Sequence, residues 1–138
     1  MNNRPATKFI DKLGWVYIQD KKVLMARSYN KTTFYIPGGK REIGESDREA
    51  LTREIKEELS VDLINDSIIS LGEFHGQADG KPADVMVKIH CFTADFIGEI
   101  QASAEIEEVS WLTHADCHLC SEAAVKVLSE LKERHLID

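Results

Sequence analysis

The chain has 138 residues, a length that suits one ordinary domain with a single core, and no second domain is expected. Hydrophobic residues at 43% and charged residues at 30% lie near the averages of soluble globular proteins, which argues against disorder, collagen-like repetition and a membrane protein. Seventeen Lys and Arg against 24 Asp and Glu leave a net charge of −7, a field that repels nucleic-acid polymers, although divalent cations in a carboxylate-lined site would still admit a small anion.

Residues 9–18 and 23–26 have period-two apolar character about the polar turn Gln19-Asp20-Lys21-Lys22, which predicts a β-hairpin. Residues 32–36 predict a short strand stopped by Pro37-Gly38-Gly39, after which a loop must follow. Ser46 with Glu49 three residues on is a capping-box signature, and good helix formers run from there to about Leu59 without Gly or Pro. Residues 68–74 and 85–96 predict two antiparallel strands joined by the turn-rich segment 76–82, and residues 107–112 add another strand. A second helix is expected over 121–135, where Ala124, Val125, Leu128, Leu131 and Leu136 recur at roughly helical spacing. Strands and two helices sharing one core imply an α/β fold, a mixed β-sheet with helices packed on its faces. Met1-Asn2-Asn3-Arg4-Pro5 lacks the apolar stretch of a secretion signal, and three cysteines are too few for a disulfide scaffold, so a cytoplasmic location without membrane attachment is expected.

The first helix sets Glu54, Glu57 and Glu58 within roughly a 100° arc, while Leu51, Ile55 and Leu59 fall on the adjoining arc. Three carboxylates that close repel one another and call for compensation. Arg53 and Lys56 supply part of it, and for an arbitrary acidic helix a salt-bridged, solvated face is the default. The alternative is a site for a hard cation such as Mg²⁺, which takes oxygen ligands and commonly bridges one or two carboxylates to substrate phosphates.

The same residues carry a family resemblance. Gly39, five residues, Glu45, seven residues and then Arg53-Glu54-Ile55-Lys56-Glu57-Glu58-Leu59-Ser60-Val61 resemble the Nudix box, G-x5-E-x7-R-E-U-x-E-E-x-G-U, with Ser60 in place of the last glycine. That substitution touches how the helix ends and leaves every charged position intact. Pro37-Gly38-Gly39-Lys40 and the segment from Glu105 to Trp111 resemble the flanking regions of the same family.

The resemblance implies a Nudix-type α/β/α sandwich and hydrolysis, with Mg²⁺ or Mn²⁺, of a phosphoanhydride in a nucleoside diphosphate linked to X or in a modified nucleoside triphosphate. It implies Gly38, Glu54, Glu57 and Glu58 as metal ligands, Gly38 through its carbonyl, with Glu54 as ligand or general base. Arg53 would orient the carboxylates, Glu45 would brace the loop, and Glu105 is a further candidate base or ligand. Arg27 and Lys40 are candidates for phosphate contacts beside Gly39. The partner implied is a small nucleotide, and a homodimer is a possible assembly.

Two rival readings remain at this stage. One is a nucleotide-sensing module of the same fold that does not cleave. The other is an isoprenoid diphosphate isomerase, which would need a catalytic cysteine, with Cys91 the candidate apart from the C-terminal pair. Trp15, Tyr17, Phe34 and Tyr35 are more readily core residues than base-stacking platforms, since only alternate aromatics of a strand share a face. His114, Cys117, His118 and Cys120 lack the second matched pair of a zinc site and sit before a helix start.

Overall fold

A computed structural model describes residues 8–78 and 80–138; the secretion-signal reading of residues 1–5 and the turn position Asp79 lie outside the described residues. In chain order the elements are β1 (Lys8–Trp15), β2 (Ile18–Gln19), β3 (Lys22–Ser28), β4 (Gly38–Gly39), α1 (Asp47–Leu59), β5 (Asp62–Leu63), β6 (Ile69–Gln77), β7 (Val85–Thr93), β8 (Phe96–Ile97), β9 (Ile106–Leu112) and α2 (Glu122–Glu133). They form a four-stranded sheet of order β4-β1-β7-β6, a three-stranded sheet of order β2-β3-β9 and the small pair β5-β8. The larger sheet is mixed, because β1 pairs parallel with β7 and antiparallel with β4.

The expected hairpin is only partly present. Ile18 and Gln19 pair with Val23 and Lys22 across Asp20 and Lys21, whose φ values of 53° and 62° are those of a tight type I′ turn. The rest of the first run leaves the hairpin. β1 stops at Trp15 and pairs in parallel with β7, from Lys8 beside Val85 to Trp15 beside Phe92. Local alternation predicts a strand but carries no information about a partner some 75 residues away. Residues 32–36 likewise form no regular strand, making isolated bridges from Tyr35 to Ala26 and from Phe34 to Cys120. The strand pairs 69–77 with 85–93 and 106–112 with 22–28 are antiparallel, and the predicted 85–96 strand ends at Thr93, with Phe96 and Ile97 turning off to meet Leu63 and Asp62.

Period-two alternation divides the core between the two helices. Leu13 and Trp15 of β1, Leu24 of β3 and Phe92 of β7 pack with Ala50, Leu51, Ile55 and Leu59 of α1. Val23, Met25, Ile89 and Cys91 point the other way and pack with Ala124, Val127, Leu128 and Leu131 of α2. One helix on each face makes the α/β/α sandwich. Trp15 stacks on Tyr17 at 5.1 Å between ring centroids, and Phe96 meets both edge-on, so these aromatics serve packing.

Helix α1 begins and ends as its sequence dictates. The Ser46 side chain accepts from the Glu49 N–H while the Glu49 carboxylate accepts from the Ser46 N–H, a complete capping box. His90 fastens the same turn to the sheet, its Nδ1 lying 3.4 Å from Asp47 and its Nε2 2.7 Å from the Ser70 hydroxyl. At the other end Ser60 adopts φ 64° and ψ 21°, the left-handed conformation that the family pattern fills with glycine. A non-glycine residue there costs about 1–2 kcal/mol, against about 0.5–1 kcal/mol of chain entropy that glycine would add to the unfolded state. Ser60→Gly is therefore expected to raise unfolding free energy by about 0.5–1 kcal/mol in a urea titration, and a loss of stability would contradict this account of the helix end.

Candidate active site

The site forms where α1, β4 and the loop before β9 converge. Gly38 has φ +147°, and a side chain there would strike the Leu13 carbonyl oxygen, so only glycine lets β4 lie this close to β1. In that position the Gly38 N–H donates to Glu58 Oε1 at 2.9 Å. A Cβ on Gly39 would lie 2.5 Å from the Glu54 carboxylate, so the second glycine leaves room for that group. The third carboxylate comes from far along the chain. The last carbonyls of α1 have no helical donors, and the Gln101 N–H donates to that of Leu59 and the Ser103 N–H to that of Glu58, each at 2.9 Å. These bonds lead the loop past the helix end and bring Glu105 to the site.

Oxygens of Glu54, Glu58 and Glu105 all lie within 4.8 Å of one another. Glu58 is only 2% exposed, yet it carries a carboxyl group. Burial and the adjacent Glu105 carboxyl push its pKa up to about 9, against the opposing effect of the Gly38 N–H. Burial also raises Glu54, with the Arg53 hydrogen bond opposing. Octahedral Mg²⁺ holds oxygens at about 2.1 Å, so its ligands sit roughly 3–4 Å apart, a spacing this trio reaches with a small contraction. Three hard oxygen donors with unfavourable mutual repulsion fit a divalent cation.

Arg53 organises the surroundings. Its guanidinium takes both oxygens of Glu45, at 2.7 and 2.8 Å, and donates to the Lys40 carbonyl at 3.1 Å. It also donates to Glu54 at 3.1 Å and reaches Glu57 at 3.5 Å. The Arg53 hydrogen bonds hold Glu45 down to about 2, so this brace stays ionised across the neutral range. Glu57 is exposed and lies outside the trio, with Arg53 its ion-pair partner.

A cavity of about 480 Å³ opens beside the trio on the α2 side of the β1–β7 pair. Gly38, Gly39, Lys40, Glu54, Glu58 and Glu105 line it, so six of the sequence-derived candidates converge. Arg27 is not among the lining residues. It sits opposite Glu108 in the β3–β9 register and is held by Glu107 at 2.6 Å and Glu108 at 3.0 Å. Tyr35 and Lys12 are among the other residues of the cavity wall. Tyr35 has its phenol pushed up to about 12, by burial first and then by Glu58 and Glu105. Lys12 projects from β1, and the only signal in the sequence was a lysine between the apolar residues Ile10 and Gly14 on one face of a strand.

Residues 13–131 match the family model for the NUDIX domain, most of the chain. The chain belongs to the Nudix family. No curated protein matches it, but solved structures with the same fold do. The E. coli ORF135 protein, known from a solution structure, is 24% identical over 96% of each chain with a TM-score of 0.70. A MutT NUDIX hydrolase from Burkholderia pseudomallei is 21% identical over 89% of this chain and 97% of its own, with a TM-score of 0.71. A bifunctional NMN adenylyltransferase/ADP ribose pyrophosphatase from Francisella tularensis, solved with AMP and a manganese ion, is 18% identical over 95% of this chain and 43% of its own, with a TM-score of 0.67. The enzyme class expected from the sequence, a Nudix-type pyrophosphohydrolase, agrees with this membership.

The raised Glu58 pKa gives this Nudix site a pH signature. A carboxyl whose folded pKa lies above its unfolded value favours the native state in its neutral form; that contribution is full below about 4.5 and is lost as pH rises towards about 9. A cation bound by Glu58 would have to displace the proton, so Mn²⁺ affinity followed by calorimetry is expected to rise between pH 6 and about 9, by up to about tenfold per pH unit, with proton release. Flat affinity and no proton release over that range would remove Glu58 from the metal site.

Proposed function

We propose that this Nudix protein hydrolyses a phosphoanhydride bond in a nucleoside diphosphate linked to X or in a modified nucleoside triphosphate, using Mg²⁺ or Mn²⁺. The observation that carries the reading is the trio Glu54, Glu58 and Glu105 at the wall of a cavity that also holds Lys12 and Lys40. Oxygen donors for a cation and ammonium groups for phosphate thus share one space, as a charged diphosphate requires. The manganese ion and AMP in the Francisella enzyme of like fold accord with this chemistry.

In this reading Glu54, Glu58 and Glu105 would hold the cation, with the Gly38 carbonyl and Glu57 as further ligands. Glu57 is exposed and lies 3.5 Å from Arg53. A bound divalent cation neutralises charge on the anhydride and lowers the pKa of water. Glu54 accepts the proton of the attacking water, a role suited to a carboxylate whose pKa burial has raised. Arg53 fixes its orientation through the 3.1 Å hydrogen bond and is itself fixed by Glu45. Lys40 contacts phosphate beside Gly39, and Tyr35, Ile36 and Val87 offer the larger part of the substrate an amphipathic wall.

All 138 residues would then form a single Nudix domain acting in the cytoplasm on a small molecule. No described helix is long and apolar enough to cross a membrane. The isomerase alternative finds little support, because Cys91 is fully buried, its thiol is pushed up to about 12 by burial, and it does not line the cavity. The sensing alternative would be favoured by missing carboxylates, and none is missing.

The test is phosphate or pyrophosphate release from nucleotide sugars, dinucleoside polyphosphates, ADP-ribose and oxidised triphosphates with Mg²⁺ or Mn²⁺. At least one substrate is expected to turn over, with Glu57→Gln and Glu58→Gln each lowering kcat by about a hundredfold or more while the fold survives. Tight nucleotide binding with no release of phosphate from any substrate would favour the sensor instead.

A further inference from the structure

The parallel register of β1 and β7 sets Ile10 beside Val87 and Lys12 beside Ile89, and all four line the cavity. Side chains two apart on a strand share a face, so Lys12 interrupts a row that is otherwise aliphatic. A lysine in such a row loses hydration and needs a compensating partner. Among the described residues the lysine ion pairs are Lys56 with Asp62 and Lys88 with Asp11, and Lys12 makes none. Its surroundings are charged all the same. Burial and then the repulsion of Lys40 lower its pKa, while Glu58 and Glu54 act in the opposite sense.

The ammonium group therefore lies in the opposed fields of Lys40 and of Glu58 and Glu54, and Lys31 and Lys81 line the same cavity. A divalent cation held by the trio would cancel most of that negative charge and leave these lysines as excess positive charge. The compensating anion must then come from the substrate. A terminal phosphoryl group carries close to two charges at pH 7, whereas a phosphoryl esterified on its outer side carries one.

We propose that Lys12 is a specificity-determining residue whose ammonium binds a phosphoryl oxygen of the substrate, favouring substrates that end in a free phosphoryl group over diphosphates esterified at both ends. The proposal rests on the phosphoanhydride reading of the cavity and adds to it a residue outside the Nudix box. Lys12 supplies charge where the apolar wall would otherwise leave a phosphate unsolvated, so its contribution is to binding and to choice among substrates. It is not required for activating water.

The experiment compares wild type with Lys12→Met, which keeps the length and removes the charge, and Lys12→Arg, which keeps the charge. Steady-state kinetics on GTP and ATP are set against UDP-glucose and ADP-ribose, and Mg²⁺-dependent binding of inorganic triphosphate is measured by calorimetry. Wild type is expected to prefer the triphosphates. Lys12→Met should lower their kcat/KM by about tenfold or more, mainly through KM, weaken triphosphate binding similarly, and affect UDP-glucose much less, with Lys12→Arg recovering most of the loss. Methionine suits the aliphatic row, and Lys12→Gln provides a second neutral variant for the same comparison should the first not fold. A wild-type preference for UDP-glucose or ADP-ribose, or an unchanged substrate ratio and triphosphate affinity in the neutral variant, overturns the role of Lys12 alone. Wild type that cleaves none of the four, nor dinucleoside polyphosphates or oxidised triphosphates, and binds no triphosphate overturns the phosphoanhydride reading itself.

Discussion

A carboxyl group buried to 2% exposure, with the N–H of Gly38 as a donor and a second carboxyl, Glu105, beside it, is poorly stabilised as an anion. Glu58 is in that position, and the geometry around it sets the rest of the site. The bond from Gly38 requires β4 to lie against β1, which requires glycine at a φ of +147°. The same close approach puts Gly39 under Glu54, where any side chain would collide. The repulsion of crowded carboxyls is thus built into the meeting of one helix with one two-residue strand, and a proton or a cation would relieve it.

Around that centre the molecule separates two kinds of electrostatic work. Arg53 and Glu45 form a two-pronged ion pair that is satisfied within the protein and has no charge left to offer a ligand. Arg27, locked between Glu107 and Glu108 on the neighbouring sheet, is another such closed unit. The charges that line the cavity are Glu54, Glu58 and Glu105 together with Lys12, Lys31, Lys40 and Lys81. A chain with net charge −7 could therefore receive an anion, because the field that matters is local and would be changed in sign by a divalent cation held there.

The two sheets explain why the cavity lies where it does. β1 carries Leu13 and Trp15 to the α1 core and turns Ile10 and Lys12 towards the opposite face, where α2 begins. Helix α1 is anchored by Leu51, Ile55 and Leu59, each fully buried, so its glutamate face is held at the sheet edge with little freedom. The loop that supplies Glu105 is tied to the Glu58 and Leu59 carbonyls at the end of that helix. Rigid elements thus carry Glu54 and Glu58, a backbone-tethered loop carries the exposed Glu105, and Glu57, also exposed, lies outside the trio.

What the sequence determined by itself is local. The capping box at Ser46 and Glu49, the unbroken helix to Leu59, the shared face of its glutamates and the glycine pair before it all depend on neighbours within a few residues, and such chemistry is written in order along the chain. The family pattern over 39–61 added the chemical class, because its charged residues are contiguous enough to be matched without a structure. Tertiary structure decided the long-range matters. It decided that β1 leaves its hairpin to pair with β7, that Arg27 meets β9 and is consumed there, that Glu105 joins Glu54 and Glu58 whereas Glu57 does not, and that Lys12 faces a cavity. Each of these depends on which distant segment lies alongside, and period-two alternation is the same whichever partner a strand takes.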